Sequence, residues 1–105
     1  MKKSLLEKTA DKLVDAFVNN KIIKPLPTKF TKKLKEAQKL RKLCESKVKD
    51  QVIGFKAAGT GIPVMKKLKE KKPFYAAIFK KNFIKSGKKV KINKSTLGIE
   101  LEVCY

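Results

Sequence analysis

The chain has 105 residues, of which 28 are lysine or arginine, nine are aspartate or glutamate and none is histidine, so its formal net charge is +19 at pH 7. That length suits one small domain, residues 1–105, with a modest core. Without histidine, a Ser-His or Cys-His nucleophile pair, a histidine general base and a histidine zinc site are all excluded.

The large positive charge favours an anionic partner, such as nucleic acid or an acidic membrane surface. However, Arg41 is the only arginine, whereas bidentate recognition of phosphates and guanines favours arginine. The lysines are also spread over every segment, without the interleaved aromatic residues of a single-strand binding platform. A lysine-biased proteome explains them more simply, and a basic module that binds nucleic acid or other polyanions is the alternative function.

The sequence also bears on the compartment. No apolar run approaches membrane-spanning length, and the first residues lead into an amphipathic, acid-containing segment instead of the apolar core of a signal peptide. Cys44 and Cys104 lie in segments of different type, without metal-ligand spacing. We therefore expect a cytoplasmic protein with reduced thiols and no membrane partner.

The first part of the chain predicts helices. Ser4 and Glu7 form a capping-box pattern ahead of apolar residues that recur at helical spacing as far as Phe17. This helix should fray near Asn19 and Asn20, and the segment 22–27, which contains two prolines, should be an extended, apolar linker. Thr28 or Thr31 then begins a second helix, which the periodicity carries to about residue 49.

After residue 50 the pattern changes to that of a strand. The apolar stretch that starts at Val52 predicts a buried strand, and the small residues after it, with Gly59-Thr60-Gly61, predict a tight loop into a short helix near Pro63. Lys56 interrupts the apolar run. A lysine in a low-dielectric strand needs an anion or loses its proton, which makes it a candidate functional residue. The alternative is that Phe55 and Lys56 simply point to opposite faces, core and water.

The second half continues with β-compatible segments. Residues 73–79 are aromatic and apolar and predict a loop or short strand, used for core packing or for lining a pocket. Val90 and Ile92 alternate with lysines, and residues 93–96 should turn the chain into a final strand that pairs with them.

The last segment, 97–105, concentrates acidic residues. As a strand it would place Glu100 and Glu102 side by side on one face, in a stretch without lysine. Paired carboxylates suit a hard cation such as Mg²⁺. The alternative is an edge strand whose glutamates face water.

Five pieces in order carry a family resemblance: Ile23-Lys24-Pro25-Leu26, Glu36-Ala37 with Leu40, Ile53-Gly54-Phe55-Lys56 with Thr60, Pro73-Phe74-Tyr75 with Phe79, and Ile99-Glu100-Leu101-Glu102-Val103. In this order and spacing the chain resembles the N-terminal portion of the 2-keto-4-pentenoate hydratase and 4-oxalocrotonate decarboxylase family, in the fumarylacetoacetate hydrolase-like superfamily. The resemblance implies an α+β fold in which N-terminal helices pack on a few strands, the front part of a larger hydratase-like fold.

The resemblance also implies site residues and an activity. Glu100 and Glu102 would be ligands of Mg²⁺ or Mn²⁺, Lys56 would be catalytic as an anion partner and proton carrier, and Thr60, Tyr75 and Phe79 would contact the substrate. The expected activity is that of a hydro-lyase on a 2-oxo acid or its dienol, as in the catabolism of aromatic compounds. A hard cation would stabilise the enolate formed in hydration or decarboxylation.

This sequence also departs from the family. Members run to well over twice this length, so the chain is expected to be truncated or split after the Glu-x-Glu strand, without the third metal-binding acid. It would then act as a homo-oligomer or with a complementing C-terminal chain. A non-catalytic remnant with an exposed last strand is a further alternative.

Overall fold

A computed structural model describes residues 2–94 and 96–105 and has an α+β architecture, which confirms the expected fold class. Within these residues, helices are followed by a small two-stranded antiparallel sheet. In chain order the elements are α1 (Leu5–Val18), α2 (Thr28–Lys32), α3 (Leu34–Lys47), β1 (Val52–Ala58), α4 (Ile62–Leu68), β2 (Phe74–Phe79) and a short 3-10 helix (Lys80–Asn82).

The start of α1 follows the predicted capping box. The Glu7 amide donates to Ser4 Oγ at 3.2 Å, and Glu7 Oε2 accepts from the Ser4 amide at 2.7 Å. Each side chain thereby satisfies a backbone group that the helix leaves unpaired. The linker 22–27 is non-helical, as its prolines predict.

The prediction of a single second helix is wrong, because the chain forms two helices, α2 and α3, between residues 28 and 47. Lys33 is extended, with φ −127° and ψ 116°, and it separates α2 from α3, which ends at Lys47. The break allows both Phe30 and Leu40 to reach Ala10 of α1, and these three residues form the buried core at 3, 4 and 0% exposure. Burial of the Phe30 ring contributes hydrophobic stabilisation from a contact between helices, and the periodicity of one segment cannot predict such a contact.

The sheet consists of the strand predicted to start at Val52, which in the structure runs to Ala58, and the aromatic segment after residue 73. Lys56 pairs with Ala76, and Phe55 pairs with Ala77. The prediction that β1 is buried is wrong, since Phe55 is 63% exposed and Val52 is 42% exposed. The faces of a strand are buried by another layer packed on them, and among the described residues no helix packs extensively against β1.

The sheet is attached to the helices through α3. Both carboxylate oxygens of Glu45 accept from Arg41 at 2.7 Å, and Glu45 Oε1 also accepts from the backbone amide of Ala77 in β2 at 2.9 Å. Arg41 lies 4.8 Å from the centre of the Tyr75 ring. One ionic pair therefore ties the helical layer to the outer side of β2.

The expected pairing of the last two segments is also wrong. No residue in 83–94 or 96–105 belongs to a strand, and most of the apolar side chains between 97 and 105 are almost fully exposed. An alternating pattern makes a strand only when a neighbouring backbone supplies hydrogen-bond partners. The backbone bonds found here are local turns, from the Lys88 amide to Lys85 and from the Thr96 amide to Asn93.

Candidate functional site: a lysine between two glutamates

The structure brings together three of the residues that the sequence singles out. Lys56 Nζ lies 3.3 Å from Glu100 Oε2 and donates a second hydrogen bond to Glu102 Oε1. Lys56 projects from β1, and the two glutamates come from the extended segment 97–105. The side chains of Lys56 and Glu102 are about half exposed, whereas Glu100 is mostly in solvent. The cluster therefore lies on the surface of the sheet.

Electrostatics fix the protonation state of this lysine. The hydrogen bond to Glu102 raises the pKa of Lys56 above its ordinary value, partial desolvation opposes that effect, and Glu100 adds to it. Because the pKa moves up, the side chain is an ammonium at neutral pH. It can bind an anion or donate a hydrogen bond, but it is not poised to act as a base.

The two glutamates match a hard divalent cation in donor type but do not complete a site. Mg²⁺ and Mn²⁺ prefer carboxylate oxygens, and Glu100 and Glu102 offer them side by side. Both carboxylates are engaged by Lys56, and within residues 2–94 and 96–105 no three His, Cys, Asp or Glu residues are grouped to hold a metal. A cation bound here would have to displace the ammonium and find its other ligands in water or a partner.

The three expected substrate contacts do not join this cluster. Lys56 pairs with Ala76, so strand alternation places Tyr75 and Phe79 on the opposite face of the sheet. Thr60 is exposed beyond the end of β1. The geometry thus separates the cluster from the aromatic residues that were expected to line the same pocket.

The two aromatic residues instead contact the helices. Phe79 is only 6% exposed, and its ring centre lies 5.7 Å from that of Phe17 in α1. Tyr75 meets Phe55 edge to face at 5.6 Å and carries Arg41 over its ring. Both rings pack against other side chains, which was the first expectation for residues 73–79, and Phe79 also lines a cavity.

Sequence reasoning missed an open cavity of about 390 Å³ between α1, α3 and β2. Its lining is apolar except near Arg41 and Glu45. The available signal was the only arginine of the chain, placed four residues before a glutamate in a helix otherwise rich in lysine. Nothing in that spacing indicates a cavity, because the cavity walls come from three separate elements.

No family model, curated protein or solved structure matches this chain. Among the described residues, no helix combines the length and the apolar character needed to cross a membrane. A function must therefore be argued from the chemistry of the cluster.

Proposed function

We propose that this chain is the front part of a divalent-metal-dependent, hydratase-like lyase that acts on a 2-oxo acid or its dienol. One observation carries the proposal: Lys56 Nζ sits against both Glu100 and Glu102, although 44 and 46 residues of chain separate them. The family resemblance implies that these residues share one site. The contact between Lys56 and the two glutamates supports the proposal, because one site requires all three side chains to lie close together.

Each residue has a role in the proposed site. Glu100 and Glu102 would hold Mg²⁺ or Mn²⁺, which supplies charge stabilisation for an enolate. Lys56 would then exchange its two carboxylate partners for the carboxylate of the 2-oxo acid, which keeps every charge paired. In this role Lys56 would act as an ammonium that positions the anion.

This chain contributes only two acidic ligands to the proposed site, so its own affinity for the metal should be low. Hard cations use six or more oxygen ligands, and two carboxylates leave the remainder to water. A complementing chain that adds a third acid would tighten binding and form the rest of the pocket. The proposal therefore predicts weak metal binding by this chain alone and stronger binding in the complete enzyme.

The test is Mn²⁺ binding, followed by water-proton relaxation, with and without oxalate as a mimic of the 2-oxo acid. Replacing both Glu100 and Glu102 by glutamine should abolish the bound Mn²⁺ signal. The matched control replaces Glu36 and Glu70 by glutamine, which changes the net charge equally and should leave the signal intact. Equal Mn²⁺ binding by both double variants would remove the assigned metal site.

A Lys56→Met variant makes the test sharper because its two expected effects have opposite signs. Without the ammonium, the glutamates no longer have a competing cation, so Mn²⁺ should bind more tightly. Oxalate should bind the Mn²⁺-loaded variant less tightly, because its second carboxylate loses its partner. A variant that binds both Mn²⁺ and oxalate as the unmodified chain does would show that Lys56 does not belong to the site.

A second candidate function is a basic module for nucleic acid or other polyanions. The ion pairs of the described residues involve few of the lysines, which leaves most of the positive charge exposed; the basic partners are Lys3, Lys21, Lys39, Arg41, Lys47 and Lys56. Affinity for a nucleic acid that falls steeply with salt and exceeds that for heparin would support this function. Equal weak affinity for any polyanion would indicate charge alone.

A further inference from the structure

An open cavity with apolar walls lies between α1, α3 and β2. Its volume of about 390 Å³ lies within the range of roughly 300–1,000 Å³ that small-molecule sites occupy. Leu13 and Phe17 line it from α1, Leu40 and Cys44 from α3, and Ala77 and Phe79 from β2. Three elements thus form its walls, and apolar side chains dominate them.

The charged groups at this cavity are already neutralised. Arg41 donates to both oxygens of Glu45 at 2.7 Å, and its Nε donates to Gln38 at 2.7 Å. Glu45 also accepts from the Ala77 amide. An anionic ligand would have to displace Glu45 from Arg41, and a cationic ligand would have to displace Arg41 from Glu45.

The thiol at the cavity adds no charge. Burial raises the pKa of Cys44 above its ordinary value, so the thiol is protonated at neutral pH. Cavities lined by apolar groups without unsatisfied polar atoms hold water poorly and accept apolar molecules. The described residues contain no buried side-chain nitrogen or oxygen without a hydrogen-bond partner.

We infer that this cavity binds a neutral, apolar molecule about as large as two fused aromatic rings. Volume and apolar walls supply the affinity, and the closed Arg41–Glu45 pair selects against charged ligands. The site is separate from the proposed lyase site, because none of Lys56, Glu100 and Glu102 lines the cavity. It would therefore fill independently of Mn²⁺ or oxalate.

The two cysteines provide a test within the unmodified chain. Cys44 lines the cavity and is half-buried, whereas Cys104 is exposed. The probe is N-phenyl-1-naphthylamine, which is neutral and so is not attracted by the lysines. At ten times its dissociation constant, the probe should slow the alkylation of Cys44 by iodoacetamide roughly tenfold, because an occupied site is closed. Alkylation of Cys104, followed in the same sample by peptide mass spectrometry, should not change.

The second measurement uses a substitution that fills the cavity with a larger side chain. Ala37 lines the cavity on α3, and Ala37→Phe should lower probe fluorescence at least tenfold, while Ala57→Phe on exposed β1 should not. Circular dichroism checks that both variants fold. Equal slowing of both thiols, or no slowing, would overturn the inference whatever the variants do. Protection of Cys44 that rises with protein concentration and without probe would also overturn it, because a second copy would then be the occupant.

Discussion

Truncation of Glu45 tests whether one ionic pair joins the helices to the sheet. Glu45→Ala removes the bidentate partner of Arg41 and the acceptor of the Ala77 amide. Both side chains of the pair are about four-fifths buried. Leaving a buried partner unsatisfied costs about 1–3 kcal/mol, so losing both interactions at this partly exposed position should cost about 2–3 kcal/mol.

Such a loss is large for a chain of this size. A small domain has about 5–15 kcal/mol of unfolding free energy in total. One kcal/mol shifts the melting temperature of a domain of this length by about 4–8 °C, so we expect Glu45→Ala to melt at least about 10 °C lower. Thermal unfolding followed by circular dichroism measures this, with urea unfolding at 25 °C as a check on the free energy.

Two further variants separate the contributions. Glu45→Gln keeps an acceptor for the Ala77 amide while removing the charge, so its melting temperature should fall between those of the unmodified chain and Glu45→Ala. Lys42→Ala changes an exposed residue of the same helix and should stay within about 0.5 kcal/mol of the unmodified chain. A Glu45→Ala chain as stable as Lys42→Ala would refute the assigned tie between α3 and β2.

Three more predictions concern local features. Ser4→Ala should cost about 1 kcal/mol in chemical unfolding, because α1 loses its capping box, and unchanged stability would count against the cap. Hydrogen bonds first from Lys3 and then from Lys47 lower the pKa of Asp11 from 3.8 to about 2. Its folded pKa is depressed, so its contribution to stability is complete above about pH 4 and is lost as the pH falls through about 2. The stability difference between the unmodified chain and Asp11→Asn should therefore shrink over that window, and a difference that does not depend on pH would contradict the assignment. Gly59→Ala should cost about 1–2 kcal/mol in urea unfolding, since φ is +66° and a Cβ would lie 2.8 Å from Phe74; Gly54→Ala, which meets open space, is the control and should not destabilise.

Much of the local structure could be predicted because its causes lie within a few residues. The Ser4 cap, the proline-rich linker, the strand at residues 52–58 and the short helix around Pro63 all depend on neighbouring side chains and backbone groups. The break at Lys33 could not be predicted in this way. It depends on Phe30 reaching Ala10, a contact across two helices.

The residues of the candidate site also fall into those that could be predicted and those that could not. Family resemblance linked Lys56 with Glu100 and Glu102, and the structure places the three in contact. It also indicated Tyr75 and Phe79 as substrate contacts, but strand pairing assigns them to the face that meets the helices. Membership of a face depends on which residue lies opposite in the neighbouring strand, and a single strand does not contain that information.

By itself, the sequence determined the capped first helix, the proline-containing linker, a strand that starts at Val52, the short helix at Pro63, the absence of histidine chemistry and the identity of the charged groups that could form a site. Those properties follow from composition and from interactions between near neighbours. Tertiary structure alone decided that β1 stays largely exposed, that segment 97–105 forms no strand, and that α1, α3 and β2 line an open cavity. These outcomes depend on long-range packing and on the supply of backbone partners, which only the folded chain specifies.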